Sequence, residues 1–300
     1  MTYEEMYEKV KDFLDTLNIS YQEKVTDKVD GYVLDFYIEH NNNKVALAVN
    51  DFLNNNSTFA PEGSTPKPKK YQLQKSHACA EKDIRLVHCW EHCVDESLNC
   101  KFGSWSVLQN CIKSALGIYD KQIYARKTKV VEFPAKETRE FFNTNNINGY
   151  RNATTTYALV MKDIVDPKPS DILMAYSVGH CYFGKGLYDA EIARGACRLN
   201  LQVVGGASKL WNYIINNRLD INTLVYYTDN NFYNGNSITF LSNIQHIKED
   251  VSFWNWHLDT QELKNREPNI HSQIMTKLKS GKLWEVCNAG TSVNVWRRNI

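Results

Sequence analysis

Three acids, Glu8, Asp35 and Asp51, are the first residues in this chain whose type and placement point to chemistry. Asp35 heads the stretch Leu34–Asp51, LDFYIEHNNNKVALAVND, where apolar and polar residues alternate, break at an Asn-rich turn and resume, a pattern that predicts a β-hairpin. Metal-assisted cleavage of a phosphodiester needs at least two acidic oxygens on Mg²⁺ and a Lys, Glu or His acting on the attacking water. Asp35 meets the first requirement and is the candidate metal ligand. Glu8, on the polar side of the first predicted helix, and Asp51, just past the second strand, are the acids that complete a catalytic set. The second strand itself offers only Ala48 and Val49 where an acid is wanted, and Lys75 and His77 are substitutes whose position spacing does not fix.

A second motif is QVVGGASKLW. Gly205 and Gly206 open a predicted helix, and Gln202, Gly205 and Ala207 meet a loose acyltransferase pattern whose loop cradles the pyrophosphate of acyl-CoA. A tight strand-to-helix turn needs glycines for geometry alone, so both readings stand. HCWEHC supplies His88, Cys89, His92 and Cys93, but at a spacing that matches no standard zinc finger, and buried thiols with imidazoles are the plainer reading. The Tyr- and Trp-rich stretches WNWH, VYYT and KLWEV are suited to base stacking or to a core.

Basic residues cluster in PKPKKYQLQK, with Lys67, Lys69, Lys70 and Lys75, and in KQIYARKTK, with Lys121, Arg126, Lys127 and Lys129. Each is a candidate phosphate-binding run or a solvated surface. The net charge of +1 argues against gripping a polyanion by bulk charge, so any nucleic-acid binding rests on these local patches.

Met6, Val10, Phe13, Leu14 and Leu17 recur at helical spacing and predict a helix over residues 3–17. After the hairpin, residues 51–68 read as a long exposed loop, followed by a helix over 70–82, a strand at 84–90 and a helix capped by Ser104 and ended at Gly117. Beyond Gly117 the pattern gives a strand at 124–133, a helix opened by Pro134, a hairpin over 157–179, a strand at 190–197, then strand, glycine turn, helix and strand from 201 to 228. Three hundred residues, 43% of them hydrophobic, suit two α/β domains with mixed sheets, divided as 1–118 and 119–300. No apolar run of membrane-spanning length occurs, the N-terminal residues are charged, and eight irregularly spaced cysteines suit reduced thiols, which together predict a soluble intracellular protein without a membrane partner.

The order of EKVKDFL, LDFYIEHNNNKVALAVND, IRLVHCWEHC, IYARKTKVVEF, FFNTNNINGY, QVVGGASKLWNYII, VYYTDNNFYNGNS and LWEVCNAGTSVNVW resembles phage homing-endonuclease-like proteins. In that family a mismatch-repair-type nuclease domain of the PD-(D/E)XK superfamily, of the EDxHD variety, precedes a GNAT acyltransferase-like domain. The resemblance implies a PD-(D/E)XK-like domain over 1–118, a GNAT-like domain over 119–300, double-stranded or partly open DNA as partner, a larger phage protein complex, and the cytoplasm of an infected host. The family pattern has an acid followed by Phe-Asn-Gly in the second strand and then Tyr-Trp-His. Here Ala48-Val49-Asn50-Asp51 replaces it, and the following loop has no histidine. The expected outcome is a DNA-binding protein with a degenerate nuclease site. The alternatives are an active Mg²⁺ nuclease using Glu8, Asp35 and Asp51, and an acyltransferase using acyl-CoA at the Gly205–Gly206 turn.

Overall fold

The computed structural model of the chain describes residues 1–98, 100–182, 186–233, 238, 241, 243–265 and 276–298. Part of the VYYTDNNFYNGNS motif, residues 234–237, lies outside the described residues. The fold is mixed α/β with mixed sheets and divides into two compact units. The first comprises Met1–Gly117, Asp229–Asn234 and Glu249–Thr291; the second comprises Ile118–Thr228, Gly235–Lys248 and Ser292–Ile300. The sequence break at Gly117 coincides with the first division, but the contiguous assignment of 119–300 to one domain does not describe the molecule, because the chain returns twice to the first unit.

In the first unit the order is α1 (Tyr3–Thr16), β1 (Gln22–Val25), β2 (Leu34–His40), β3 (Asn43–Asn50), α2 (Tyr71–Glu81), β4 (Arg85–Trp90), the single turn α3 (Glu91–Val94) and α4 (Trp105–Leu116). Helix α1 starts on a Thr2/Glu5 capping box and buries Met6, Val10, Phe13 and Leu14, as their spacing requires. Helix α4 starts on Ser104 and stops at Gly117, whose φ of 75° is left-handed. The sheet runs β1-β2-β3-β4, antiparallel except for the parallel pair β3/β4. Strand β3 lies inside this sheet, and its uninterrupted run Val45–Asn50 is wholly buried.

The chain continues through β5 (Lys121–Tyr124), β6 (Thr128–Pro134), α5 (Arg139–Asn145), β7 (Thr155–Met161), β8 (Met174–Gly179), β9 (Ala190–Cys197), β10 (Leu201–Val204), α6 (Gly206–Asn217), β11 (Thr223–Asp229) and β12 (Ile244–Asp250). Strands β13 (Phe253–His257), β14 (Glu262–Asn265) and β15 (Leu283–Cys287) form an antiparallel sheet of the first unit, and β16 (Thr291–Arg297) ends the described chain. In the second unit a sheet of order β12-β16-β11-β9-β8-β7-β6 packs on α6 through Leu210, Trp211 and Ile214, while β5 and β10 pair in parallel. Among the described residues no helix is long and apolar enough to cross a membrane.

Residues 51–68 form the expected loop and are mostly exposed beyond residue 56, but most of the 51–56 stretch is not exposed as its composition suggests. Phe52, Asn55 and Asn56 are buried, Phe52 packs 4.9 Å from Trp256, and Phe59 stacks on Trp284 at 5.3 Å. Backbone bonds Ser57 N to Glu285 O and Cys287 N to Asn55 O tie the segment to β15. The asparagines that read as loop formers act instead as connectors: Asn56 Nδ2 donates to the carbonyls of Phe52 and Leu53.

Candidate functional site

The head of β2 and the tail of β3 lie side by side because the two strands are antiparallel. Their ladder ends at the pair Phe36/Leu47, which leaves the Val49 N–H without a strand partner, and Asp35 Oδ2 accepts it at 2.8 Å. The other carboxylate oxygen, Oδ1, accepts from the Tyr3 hydroxyl at 2.5 Å and from Lys24 Nζ at 2.7 Å. Lys24 also donates to the Tyr3 hydroxyl and lies over the rings of Tyr3 and Tyr7, 4.4 and 4.3 Å from their centroids. Lys24 has φ of 52°, a left-handed conformation that costs a non-glycine residue about 1–2 kcal/mol. The chain bears that strain at the residue whose ammonium meets Asp35.

Asp35 borders a cleft of about 290 Å³ lined by Tyr3, Val49, Asn50, Lys67, Tyr71 and Lys75, with amides from Asn54, Asn55 and Gln72. Of the three predicted acids only Asp35 reaches it. Glu8 is exposed on α1, and the helix presents Tyr3 in its place. Asp51 is buried but turned onto its own loop, accepting from Asn54 N at 2.8 Å, Asn54 Nδ2 at 2.6 Å and Asn55 Nδ2 at 3.3 Å. His77 pairs with Glu249 at 2.7 Å and does not line the cleft.

The residue that ends β3 is Asn50, and its amide enters a buried network. Asn50 Nδ2 donates to Ala48 O and to His88 Nδ1, Gln72 Nε2 donates to Asn50 Oδ1 and Asn55 Oδ1, and Asn55 Nδ2 donates to Asp51 O. One tautomer satisfies His88: Nδ1 accepts from Asn50, Nε2–H donates to Ser76 Oγ, and the Ser76 hydroxyl donates to Gln72 O. Burial, with a smaller contribution from Lys75, holds the His88 imidazole down at about 3 and therefore neutral. Sequence spacing gave no sign that Asn50 and Gln72 belong to one cluster, since the link runs between a strand and a helix.

Divalent metal does not fit these residues. Both oxygens of the single carboxylate are already bonded, one of them to an ammonium, and among the described residues no three His, Cys, Asp or Glu side chains converge on a common point. The HCWEHC residues separate likewise. His92 packs among Phe52, Phe102 and Trp254, and burial holds its imidazole at about 3. Cys89 and Cys93 are buried thiols that burial pushes up.

The first basic run divides by depth. Lys70 is exposed at the start of α2, Lys69 pairs with Glu285 at 2.9 Å, Lys67 lies over Tyr71 at the rim of the cleft, and Lys75 is only 6% exposed in its wall. Burial lowers the Lys75 ammonium, with Asp35 opposing that shift.

In the second unit, Arg126 and Lys127 are exposed and Arg126 covers the Tyr124 ring, while Lys129 Nζ turns back to the Ile164 carbonyl. The glycine turn explains itself by packing. Gly205 has φ of 76°, and a Cβ on Gly206 would meet Met174 Sδ and Val203 Cγ1 at 2.8 Å. Gln202 is bonded by Gln122 at 2.7 Å, Ala207 packs on the core, and Lys209 Nζ donates to the carbonyls of Ala125 and Thr128. IYARKT and VVGGASKL are thus two halves of one internal contact.

This is a mixed α/β protein of two units whose first unit carries a polar cleft built on one buried carboxylate and one buried lysine. No protein-family model matches the chain, and no curated protein matches it.

Proposed function

We propose that the chain is a DNA-binding protein of phage homing-endonuclease-like descent, a specificity or accessory subunit of a phage DNA or transcription machine, whose PD-(D/E)XK-like unit does not hydrolyse DNA. The observation that carries this reading is the Lys24 ammonium 2.7 Å from Asp35 Oδ1, where a nuclease of this descent would hold a divalent cation. A lysine there supplies one positive charge that balances the carboxylate but offers no coordination site for water or phosphate. Asn50 closes β3 with a neutral amide committed to His88 and Gln72, so the second acid is replaced by a group that strengthens the core. On this reading the second unit descends from a GNAT-like domain whose glycine turn now serves packing, with no role for acyl-CoA.

Binding then rests on lysine and arginine contacts to phosphate from Lys67, Lys70, Arg126 and Lys127, none of which forms an ion pair among the described residues. Fluorescence anisotropy on duplex DNA over a salt series tests it: log affinity falls linearly with log salt, by about 0.9 per phosphate contact. Affinity indifferent to salt, or unchanged in Arg126→Glu/Lys127→Glu, contradicts the reading.

A further inference from the structure

We infer that the cleft beside Asp35 is a binding site for a terminal phosphate monoester of a nucleic-acid strand, held by Lys75, Tyr71 and Lys67. This rests on the DNA-binding reading above and names the group that the cleft would take. Lys75 is the reason to look for a ligand at all. Its side chain is 6% exposed, it borders the cleft, and its ammonium makes no hydrogen bond or ion pair among the described residues. A buried ammonium with three unused N–H groups is costly unless an acceptor reaches it. Tyr71, on the next turn of α2 back, and Lys67 line the same cleft, and their hydroxyl and ammonium are also without hydrogen-bond acceptors among the described residues.

Charge selects the ligand class. Asp35 is balanced by Lys24, which leaves Lys67 and Lys75 as the two amines of the cleft that can each carry a positive charge against a bound anion. A phosphodiester carries one negative charge, whereas a phosphate monoester carries about −1.5 to −2 at neutral pH. The monoester is the better match, and in a strand it occurs only at an end.

Lys75 also provides a readout independent of affinity. The charged and titratable groups facing it are Asp35 on β2, Lys24 on β1, Lys67 ahead of α2, Tyr71 and Cys79 on α2, Tyr3 on α1 and His88 on β4. Burial outweighs Asp35 and lowers the ammonium. A dianion beside it favours the charged form, so binding shifts the proton occupancy of Lys75 upward.

The experiment uses the full chain and short duplexes of one sequence that differ only in phosphate or hydroxyl at the 5′ end, a matched pair at the 3′ end, and a deoxynucleoside monophosphate alone. Calorimetry in buffers of different ionisation enthalpy reads affinity and proton uptake together. One of the phosphorylated ends binds about tenfold tighter than its hydroxyl twin, as expected for a charge-assisted hydrogen-bonded contact, and does so with proton uptake. Lys75→Met keeps the buried stem, and it erases both the preference and the uptake. Equal affinity for both members of each pair, or a preference that survives Lys75→Met, overturns the inference. A monophosphate that binds as tightly as the phosphorylated duplex also overturns it, since the ligand is then a free nucleotide. Failure of every duplex to bind overturns the DNA reading itself, whereas binding without discrimination overturns only this inference.

Discussion

Residues 34–75 in the first unit and residues 121–209 in the second each bring two sequence motifs together, and they treat their polar groups in opposite ways. Around the glycine turn, the Lys209 ammonium is consumed by the Ala125 and Thr128 carbonyls, and the Gly206 Cα is packed against Met174 and Val203. Around Asp35, both carboxylate oxygens are bonded, but Lys75 and Tyr71 line a cleft and have no hydrogen-bond partner among the described residues. Two motifs of equal specificity in the sequence therefore differ in kind: one closes on itself for stability and the other keeps binding capacity at a cost in stability.

The comparison can be broken at either end. The largest effect is expected at Gly206→Ala, whose added methyl has no room; a loss of about 1–3 kcal/mol in urea unfolding supports a packing role, and wild-type stability would show that the turn has slack for a ligand. At the first site, Asn50→Ala strands His88 Nδ1 and one Gln72 N–H. It should cost about 1–2 kcal/mol by the same measurement, and a neutral outcome would remove the network from the account.

Acid should separate the two regions further. His88 and His92 are neutral in the fold with imidazoles at about 3, against about 6.5 unfolded, so the unfolded chain binds more protons between those values. Their contribution is complete above about pH 6.5 and is lost as pH falls towards 3, by about 1.4 kcal/mol per pH unit for each histidine. His92→Phe keeps the aromatic packing, and thermal unfolding from pH 7 to 5 should show a shallower acid slope; an unchanged slope contradicts a neutral buried His92. The smallest effect belongs to Gly205→Ala, about 1 kcal/mol from its left-handed φ, since the added Cβ would only touch Ala125 Cβ at an ordinary 3.7 Å.

What the sequence made legible follows from local physics. Helix α1, the hairpin of β2 and β3, α4 with its Ser104 and Gly117 caps, and the strand–turn–helix at Gly205 are set by periodicity and by capping residues. The region after residue 228 was not legible: β13 to β15 are short, and their partners Phe52, Asn55 and Trp90 lie far back in the chain. The burial within residues 51–56 was missed for the same reason, since their asparagines read as exposed loop residues until β15 is in place to bond that stretch. At the site, Asp35 stood out by type and strand position. Lys24, Tyr3 and Asn50 did not, because nothing in spacing announces that a strained lysine on β1 will meet a carboxylate on β2.

Lys24 pairs with Asp35 at the place where the proposed nuclease descent would put a catalytic cation. The direct measurement is strand scission of supercoiled and linear phage and host DNA by the purified chain with Mg²⁺ or Mn²⁺, alongside DNA binding in EDTA. The account predicts DNA binding that EDTA does not diminish and no scission with either ion. Scission that requires the metal and is lost in Asp35→Ala would contradict it.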